Sequence, residues 1–186
     1  MNKISKVKLS TMKKNIIIVF AALLATSIFI TSCSKDNNED KTSTLNVRLT
    51  DAPTAYEEVN VDIREVRVKF SDDSTSNGWV TLSTYPGIYN LLAYQNGVDT
   101  LLGTGIFPLQ VLKEIRFVLG PNNSIKDAGV VYPLTIPSGS ESGLKIKVNK
   151  ALNATLETII IDFDAALSVH KDGTGDYKLR PVLKVK

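Results

Sequence analysis

Hydrophobic and polar residues alternate with a period of two through most of the chain from Thr44 onward, which is the pattern of half-buried β-strands. In the first such stretch Leu45, Val47 and Leu49 alternate with polar residues. Later strands are predicted at 79–83, 89–94, 114–119, 130–136, 144–149, 155–163 and 177–185. Turn residues separate them, as in Gly120-Pro121-Asn122-Asn123.

A long strand after Tyr56 changes the parity of its apolar residues partway along. These residues are Val59, Val61 and Ile63, then Val66, Val68 and Phe70. A β-bulge near Arg64 and Glu65 is the simplest way to keep both sets facing inward. Residues 177–185 are interpreted as one strand that closes the sheet, with Pro181 at an edge or a bulge. The spacing of residues 106–115 suits either a strand or a short helix.

These elements predict an all-β fold for residues 44–186, a single antiparallel β-sandwich of about eight strands, immunoglobulin-like or transthyretin-like. Roughly 140 residues is the usual size of one domain. The mature chain would contain no second thiol, so no intrachain disulfide can stabilise it.

The first 32 residues have a different pattern, a lysine-rich start followed by an apolar run over residues 16–30. A bilayer span needs roughly 20 apolar residues, so this shorter run indicates a signal peptide. It ends Ile30-Thr31-Ser32-Cys33, which resembles the bacterial lipobox, where the cysteine is acylated and becomes the new N-terminus. We therefore expect a signal peptide at 1–32 and a lipidated Cys33. Translation could begin at Met1 or at Met12.

Cleavage changes the charge of the protein. The whole chain carries 22 basic and 19 acidic residues, five of the lysines lying in the signal peptide. The mature chain keeps 17 basic and 19 acidic residues, a net charge of −2. This balance gives no support to nucleic-acid binding. The expected partner is instead the membrane, through acylated Cys33.

Residues 33–43 are polar and acidic, so the sequence predicts a flexible tether between the anchor and the domain. An acidic stretch after the anchor resembles the export signal that carries lipoproteins of Bacteroidetes-type bacteria to the cell surface. We therefore expect a protein anchored by lipid in the outer membrane, with its domain facing the cell exterior. A domain facing the periplasm is the alternative.

Four groups of residues occur in a recognisable order. They are Leu49-Thr50-Asp51-Ala52-Pro53; Pro137-Ser138-Gly139 with Ser142-Gly143-Leu144-Lys145; Asp162-Phe163-Asp164-Ala165 with Ser168-Val169; and Tyr177-Lys178-Leu179-Arg180-Pro181-Val182. Together they resemble the bacterial lipoprotein family catalogued as domain of unknown function 4382, over nearly all of residues 44–186. Phe107-Pro108-Leu109-Gln110 departs from the family pattern, which has a glycine there. The resemblance implies an all-β envelope protein, anchored by lipid, without an assigned activity.

Asp51, Asp162 and Asp164 are the candidate metal ligands. Residues two apart on a strand point to the same side, and carboxylates suit Ca²⁺. The plainer interpretation, which we favour, places Asp162 and Asp164 on the wet face of a strand and uses Asp51 in an Asx turn before Pro53. No cofactor other than this possible structural Ca²⁺ is expected.

The residues needed for catalysis are scarce. His170 is the only histidine, and the only cysteine is the predicted lipid attachment point. No serine lies in a nucleophile-elbow glycine pattern. We expect no catalytic residue and therefore no enzyme.

Binding is the stronger class of function. Trp79, Tyr85, Tyr89 and Tyr94 could stack on sugars or anchor a partner, although a lone tryptophan is more often buried. We expect a non-catalytic binding or adhesion-type module with a glycan or envelope-protein partner. The alternative is a structural envelope component that binds only neighbouring proteins. Ser74 and Thr100 resemble O-glycosylation acceptors of Bacteroidetes-type bacteria.

Overall fold

β-Strands form nearly all of the regular structure in the computed structural model, which describes residues 41–70, 78–137 and 143–186. In these ranges the strands are, in chain order, β1 (Thr42–Thr50), β2 (Glu58–Lys69), β3 (Trp79–Thr81), β4 (Ser83–Thr84), β5 (Gly87–Asn90), β6 (Thr100–Pro108), β7 (Val111–Leu119), β8 (Ser124–Asp127), β9 (Val130–Thr135), β10 (Leu144–Ala151), β11 (Leu156–Phe163), β12 (Val169–Lys171), β13 (Tyr177–Leu179) and β14 (Leu183–Val185). A 3-10 helix spans Leu91–Tyr94, and the four-residue helix α1 spans Ala165–Ser168. No helix in the described ranges is long and apolar enough to cross a membrane.

The strands form two sheets. The smaller sheet has the order β14-β11-β1-β6-β4. The larger has the order β10-β7-β2-β8-β9-β13-β12, and β3 and β5 also pair with β2. Apolar residues of both sheets are fully buried in one core, among them Leu45 and Val47 of β1 and Val66 and Val68 of β2. The prediction of an all-β sandwich is confirmed.

Two features of the predicted sandwich need correction. It is not purely antiparallel, because β1 pairs with β11 in parallel and β13 pairs with β9 in parallel. Alternation shows which side chains face inward but carries no information on strand direction, and parallel partners lie far apart along the chain. The described residues also contain fourteen strands instead of about eight.

Part of that difference comes from the C-terminal segment, which was predicted as one strand closing the sheet. It divides at Pro181 into β13 in the larger sheet and β14 in the smaller one. Proline has no N–H to donate to a ladder. The segment therefore crosses from one sheet to the other at this residue.

The parity change in β2 is a β-bulge, as predicted. The pairing of β2 with β7 shifts register between Ile63 and Glu65. Val61 and Ile63 before the shift and Val66 and Val68 after it are all fully buried. The bulge therefore keeps both apolar sets in the core.

The structure decides one segment whose prediction was left open and corrects another. Residues 106–115 form the end of β6, a two-residue connection and the start of β7. Residues 89–94 were predicted as a strand, which is wrong beyond Asn90. The Asn90 side chain accepts a hydrogen bond from the backbone N–H of Leu92 at 3.2 Å and so caps the 3-10 helix.

Candidate functional site

Several predicted features lie outside the described residues. They are the signal peptide, Cys33, the tether up to residue 40 and Ser74. Thr100 is described and lies at the start of β6, half-buried and opposite Leu49 of β1. His170 lies in β12 opposite Lys178 and is exposed.

Asp51 is buried at the end of β1, where its carboxylate links two distant segments. The backbone N–H of Ala165 donates to Oδ1 at 2.9 Å, and the side-chain amide of Gln95 donates to Oδ2 at 3.0 Å. Asp51 thus holds α1 and the end of the 3-10 helix region against β1, instead of forming an Asx turn before Pro53. Burial raises the pKa of Asp51 against these hydrogen bonds, and the nearby Asp162 charge also raises it.

Asp162 and Asp164 are buried as well, so their assignment to the wet face of β11 is wrong. Each is covered by a lysine of the C-terminal segment. Lys184 Nζ lies 3.1 Å from Asp164, and Lys186 Nζ lies 3.4 Å from Asp162. Asp164 also accepts from the backbone N–H of Leu167 at 3.0 Å and so caps the N-terminus of α1.

The three aspartates do not assemble a calcium site. The described part of the chain contains no group of three or more His, Cys, Asp or Glu side chains that could hold a metal ion. Two of the three carboxylates have lysine partners, and the third is held by two hydrogen bonds. Their shared role is to join β1, α1 and β14.

The predicted aromatic set is divided by the structure. Tyr89 pairs with Val61 near one end of β2, and Trp79 pairs with Lys69 at the other end. Eight residues of strand separate these positions, about 26 Å. Tyr89 packs at the edge of the core and donates its hydroxyl hydrogen to the carbonyl oxygen of Tyr85. Trp79 and the tyrosines therefore do not form one platform.

Trp79 lies on the outer face of the larger sheet. It is half-buried and does not belong to the core cluster. The Arg116 guanidinium carbon lies 4.0 Å from the centre of the indole ring, and Lys69 Nζ lies 5.9 Å from it. The ring is therefore neither a core residue nor a bare platform, and cations contact its π-system.

Register places more charged side chains on this face. Lys69 lies opposite Trp79 and Glu114, and Arg67 lies opposite Thr81 and Arg116. Opposed residues of paired strands point to the same side, and β10 adds Lys145 and Lys147 opposite Arg116 and Glu114. Five cations thus share the face with two carboxylates. The cations are Arg67, Lys69, Arg116, Lys145 and Lys147, and the carboxylates are Glu65 and Glu114. We call these residues, with Trp79, the basic face.

Arg116 is the residue of the basic face that sequence reasoning missed. Only 9% of its surface is exposed, and its Nε has no hydrogen-bond partner among the described residues. Burial lowers the pKa of Arg116, and the neighbouring Arg67 charge lowers it further. Alternation around Ile115 and Phe117 places Arg116 on an outer face, but only the strand order brings it to Trp79.

A cleft of about 540 Å³ lies elsewhere, between the end of β7 and β9. Pro121, Pro133, Leu134 and Ile136 contribute to its mostly apolar lining. The Asn123 side chain in this lining is engaged by the backbone, accepting from Asp62 N–H at 2.9 Å and donating to the Gly120 carbonyl at 2.8 Å. Among the described residues that line the cleft, none has a titratable side chain.

The fold and these sites define an all-β sandwich protein with an aromatic and cationic outer face. The family described as domain of unknown function (DUF4382) matches residues 42–181, and the chain belongs to that family. No curated protein and no solved structure matches the chain.

Proposed function

We propose that this chain is a lipid-anchored envelope protein of Bacteroidetes-type bacteria and that it serves as a non-catalytic binding module on the outside of the outer membrane. The proposal joins the signal peptide and lipobox ending at Cys33 to the basic face of the larger sheet. The ligand is an acidic glycan or another anionic polymer that carries ring surfaces.

The environment of Arg116 supports this proposal most directly. A guanidinium that loses most of its water is costly unless hydrogen bonds or an opposite charge compensate it. Arg116 has the Trp79 ring on one side, the charges of Arg67 and Glu114 act on it in opposite directions, and its Nε lacks a partner in the described residues. A ligand carboxylate or sulfate at the exposed part of the guanidinium would supply a compensating charge and charge-assisted hydrogen bonds.

Trp79 gives the same surface a second means of recognition. An indole ring can pack against the apolar side of a sugar while neighbouring cations bind its acidic groups. The excess of cations over carboxylates on the basic face suits a polymer with repeated negative charges.

The alternative function, a structural component that binds only neighbouring proteins, would use an open sheet edge. β10 is such an edge, since it pairs with β7 on one side and ends the larger sheet. Lysines and bulges protect edge strands from pairing. β10 carries three lysines, and its register shifts after Lys147, with Asn149 at φ 51°. These features favour the basic face over the β10 edge as the binding surface.

The test compares variants of the acylated mature protein on an array of neutral and acidic polysaccharides. Trp79→Ala and Arg116→Gln should each lower binding to acidic polymers at least tenfold, and Arg116→Gln should leave the weaker binding to neutral ones unchanged. Trp79→Phe and Arg116→Lys are the matched controls, since they keep a ring and a charge. Binding of the parent protein to acidic polymers should also weaken as salt is added, because salt screens the contacts between the cations and the anionic ligand.

Binding that survives both Trp79→Ala and Arg116→Gln would rule out the basic face. A native protein that binds no polysaccharide but purifies with one envelope protein would favour the structural alternative. Thermal unfolding of each variant separates loss of binding from loss of fold.

A further inference from the structure

Exposed aliphatic side chains cluster at one end of the sandwich, outside the basic face and the core. Ile106 is 71% exposed and Leu156 is 57% exposed. Leu109 and Val111, at the turn between β6 and β7, are also exposed, as is Pro108. We call these five residues the apolar end. Single exposed aliphatic residues are ordinary, whereas a contiguous group marks an interaction surface.

The register brings Ile106 and Leu156 close together. Thr44 of β1 lies opposite Ile106 of β6 and also opposite Leu156 of β11. Leu45, next along β1, is fully buried, so Thr44 and its two partners face outward from the smaller sheet. Ile106 and Leu156 are therefore two strand spacings apart, about 10 Å. Pro108 lies two residues after Ile106 on β6 and so points to the same side. Leu109 and Val111 follow it where the chain crosses from β6 in the smaller sheet to β7 in the larger one.

The chain enters the domain at this same end. The backbone N–H of Leu109 donates to the carbonyl oxygen of Lys41 at 3.1 Å, immediately before β1. Cys33 is eight residues before Lys41. Eight residues span at most about 28 Å when fully extended. An acylated Cys33 would therefore hold the apolar end within about 28 Å of the lipid surface in every conformation of the tether.

We propose that the apolar end rests on the membrane, with its aliphatic side chains in the boundary between lipid headgroups and acyl chains. The proposal rests on the lipid anchoring in the proposed function, but adds a second contact between the protein and the bilayer. The opposite end of the domain then points away from the membrane. Acyl chains and apolar protein surface together bind more stably than acyl chains alone.

The experiment places a tryptophan at the apolar end of the full-length acylated protein. In a Trp79→Phe background, Ile106→Trp is the reporter, and the protein is reconstituted into phosphatidylethanolamine and phosphatidylglycerol vesicles with brominated acyl chains. The matched control is Val131→Trp in the same background. Val131 is 63% exposed and pairs with Lys126, which pairs with Glu58 at the start of β2. Val111 of the apolar end lies past Lys69, the last residue of β2, so the two positions are at opposite ends of that strand.

We expect brominated lipid to quench the tryptophan at position 106 at least threefold more than the tryptophan at position 131. Leu156→Trp should behave as Ile106→Trp does, which guards against a local effect of one substitution. Equal quenching at positions 106 and 131 would overturn the proposal. A blue-shifted, unquenched signal at position 106 that depends on protein concentration would also overturn it, since a second copy of the chain would then cover the apolar end.

The outcome separates this inference from the anchoring on which it rests. A protein that does not float with the vesicles refutes the lipid anchor itself. One that floats with them but shows no quenching at position 106 refutes only the docking of the apolar end.

Discussion

Trp79 illustrates how much the energetic role of one residue depends on its neighbours. Its indole covers part of an outer sheet face and contacts Arg116, but it lies outside the core cluster. We expect Trp79→Ala to cost about 1–2 kcal/mol, from a partly buried ring and one cation–π contact. Chemical denaturation of the variant measures this cost.

Trp79→Phe should retain more than half of the lost stability, because a smaller ring still covers the sheet. A cost of about 3–5 kcal/mol for Trp79→Ala would identify a true core residue. A change within about 0.5 kcal/mol would mean that the contact with Arg116 contributes nothing.

Asp51 should make the stability of the domain depend on pH. Its pKa is raised by burial, so folding favours the neutral carboxyl. The resulting stability is fully present below the unfolded pKa and is lost as pH rises through the folded pKa. Asp51→Asn should therefore flatten the loss of stability above about pH 4, measured as the difference between variant and parent across a pH series.

A second variant checks the sign. The Gln95 amide donates to Asp51 and lowers its pKa, so Gln95→Ala should raise that pKa and extend the loss to higher pH. Other carboxyls contribute with the opposite sign, since hydrogen bonds lower the pKa of Glu65 and Glu157. Only the differences between variants are diagnostic, and identical pH profiles in all three proteins would contradict the assignment.

At the scale of elements, the bulged strand β2 depends on the turn that follows β7. The Asp62 carboxylate is buried and lies 2.8 Å from Arg64 Nε, across the bulge. A Cβ added at Gly120 would lie 2.6 Å from Asp62 Cγ, well inside a normal contact. Gly120→Ala should cost about 1–3 kcal/mol, as overpacking of a filled site does.

Gly173→Ala is the matched control, since a Cβ there meets no atom within 4 Å. It should leave the melting temperature within the scatter of ordinary surface variants. Equal melting temperatures for Gly120→Ala and Gly173→Ala would show that Asp62 and Arg64 can move aside.

The elements differ in how far the sequence determines them. The bulge in β2 was predictable, because a change of parity among buried residues leaves few other solutions. The strand partners were not, because the side chains of β1 would alternate in the same way beside a parallel or an antiparallel neighbour. The contact of Arg116 with Trp79 was not predictable for the same reason, since it depends on β3 and β7 both pairing with β2. Burial of Asp162 and Asp164 depends on β14, whose lysines cover them.

At the scale of the whole molecule, the predicted export signal is local in the sequence, whereas the proposed binding surface is assembled only by the fold. The resemblance to a lipobox at Cys33 rests on four consecutive residues. The basic face is assembled from four strands that are separated along the chain. For this reason the localisation is easier to predict from the sequence than the ligand is.

The proposed exposure of the domain at the cell surface gives the last prediction. Residues 34–40 include Lys35 and no apolar residue, whereas Lys41 directly precedes β1 and its carbonyl is hydrogen-bonded to Leu109. Trypsin should therefore cut after Lys35 in preference to Lys41, because backbone in a strand ladder resists proteolysis. Added to intact cells, it should release a domain that begins at Asp36, identified by N-terminal sequencing and mass.

Cys33→Ala is the control, since it should leave an unprocessed precursor that incorporates no palmitate. Protection in intact cells, followed by cleavage after Lys35 once the outer membrane is permeabilised, would place the domain in the periplasm and leave the lipid anchor intact.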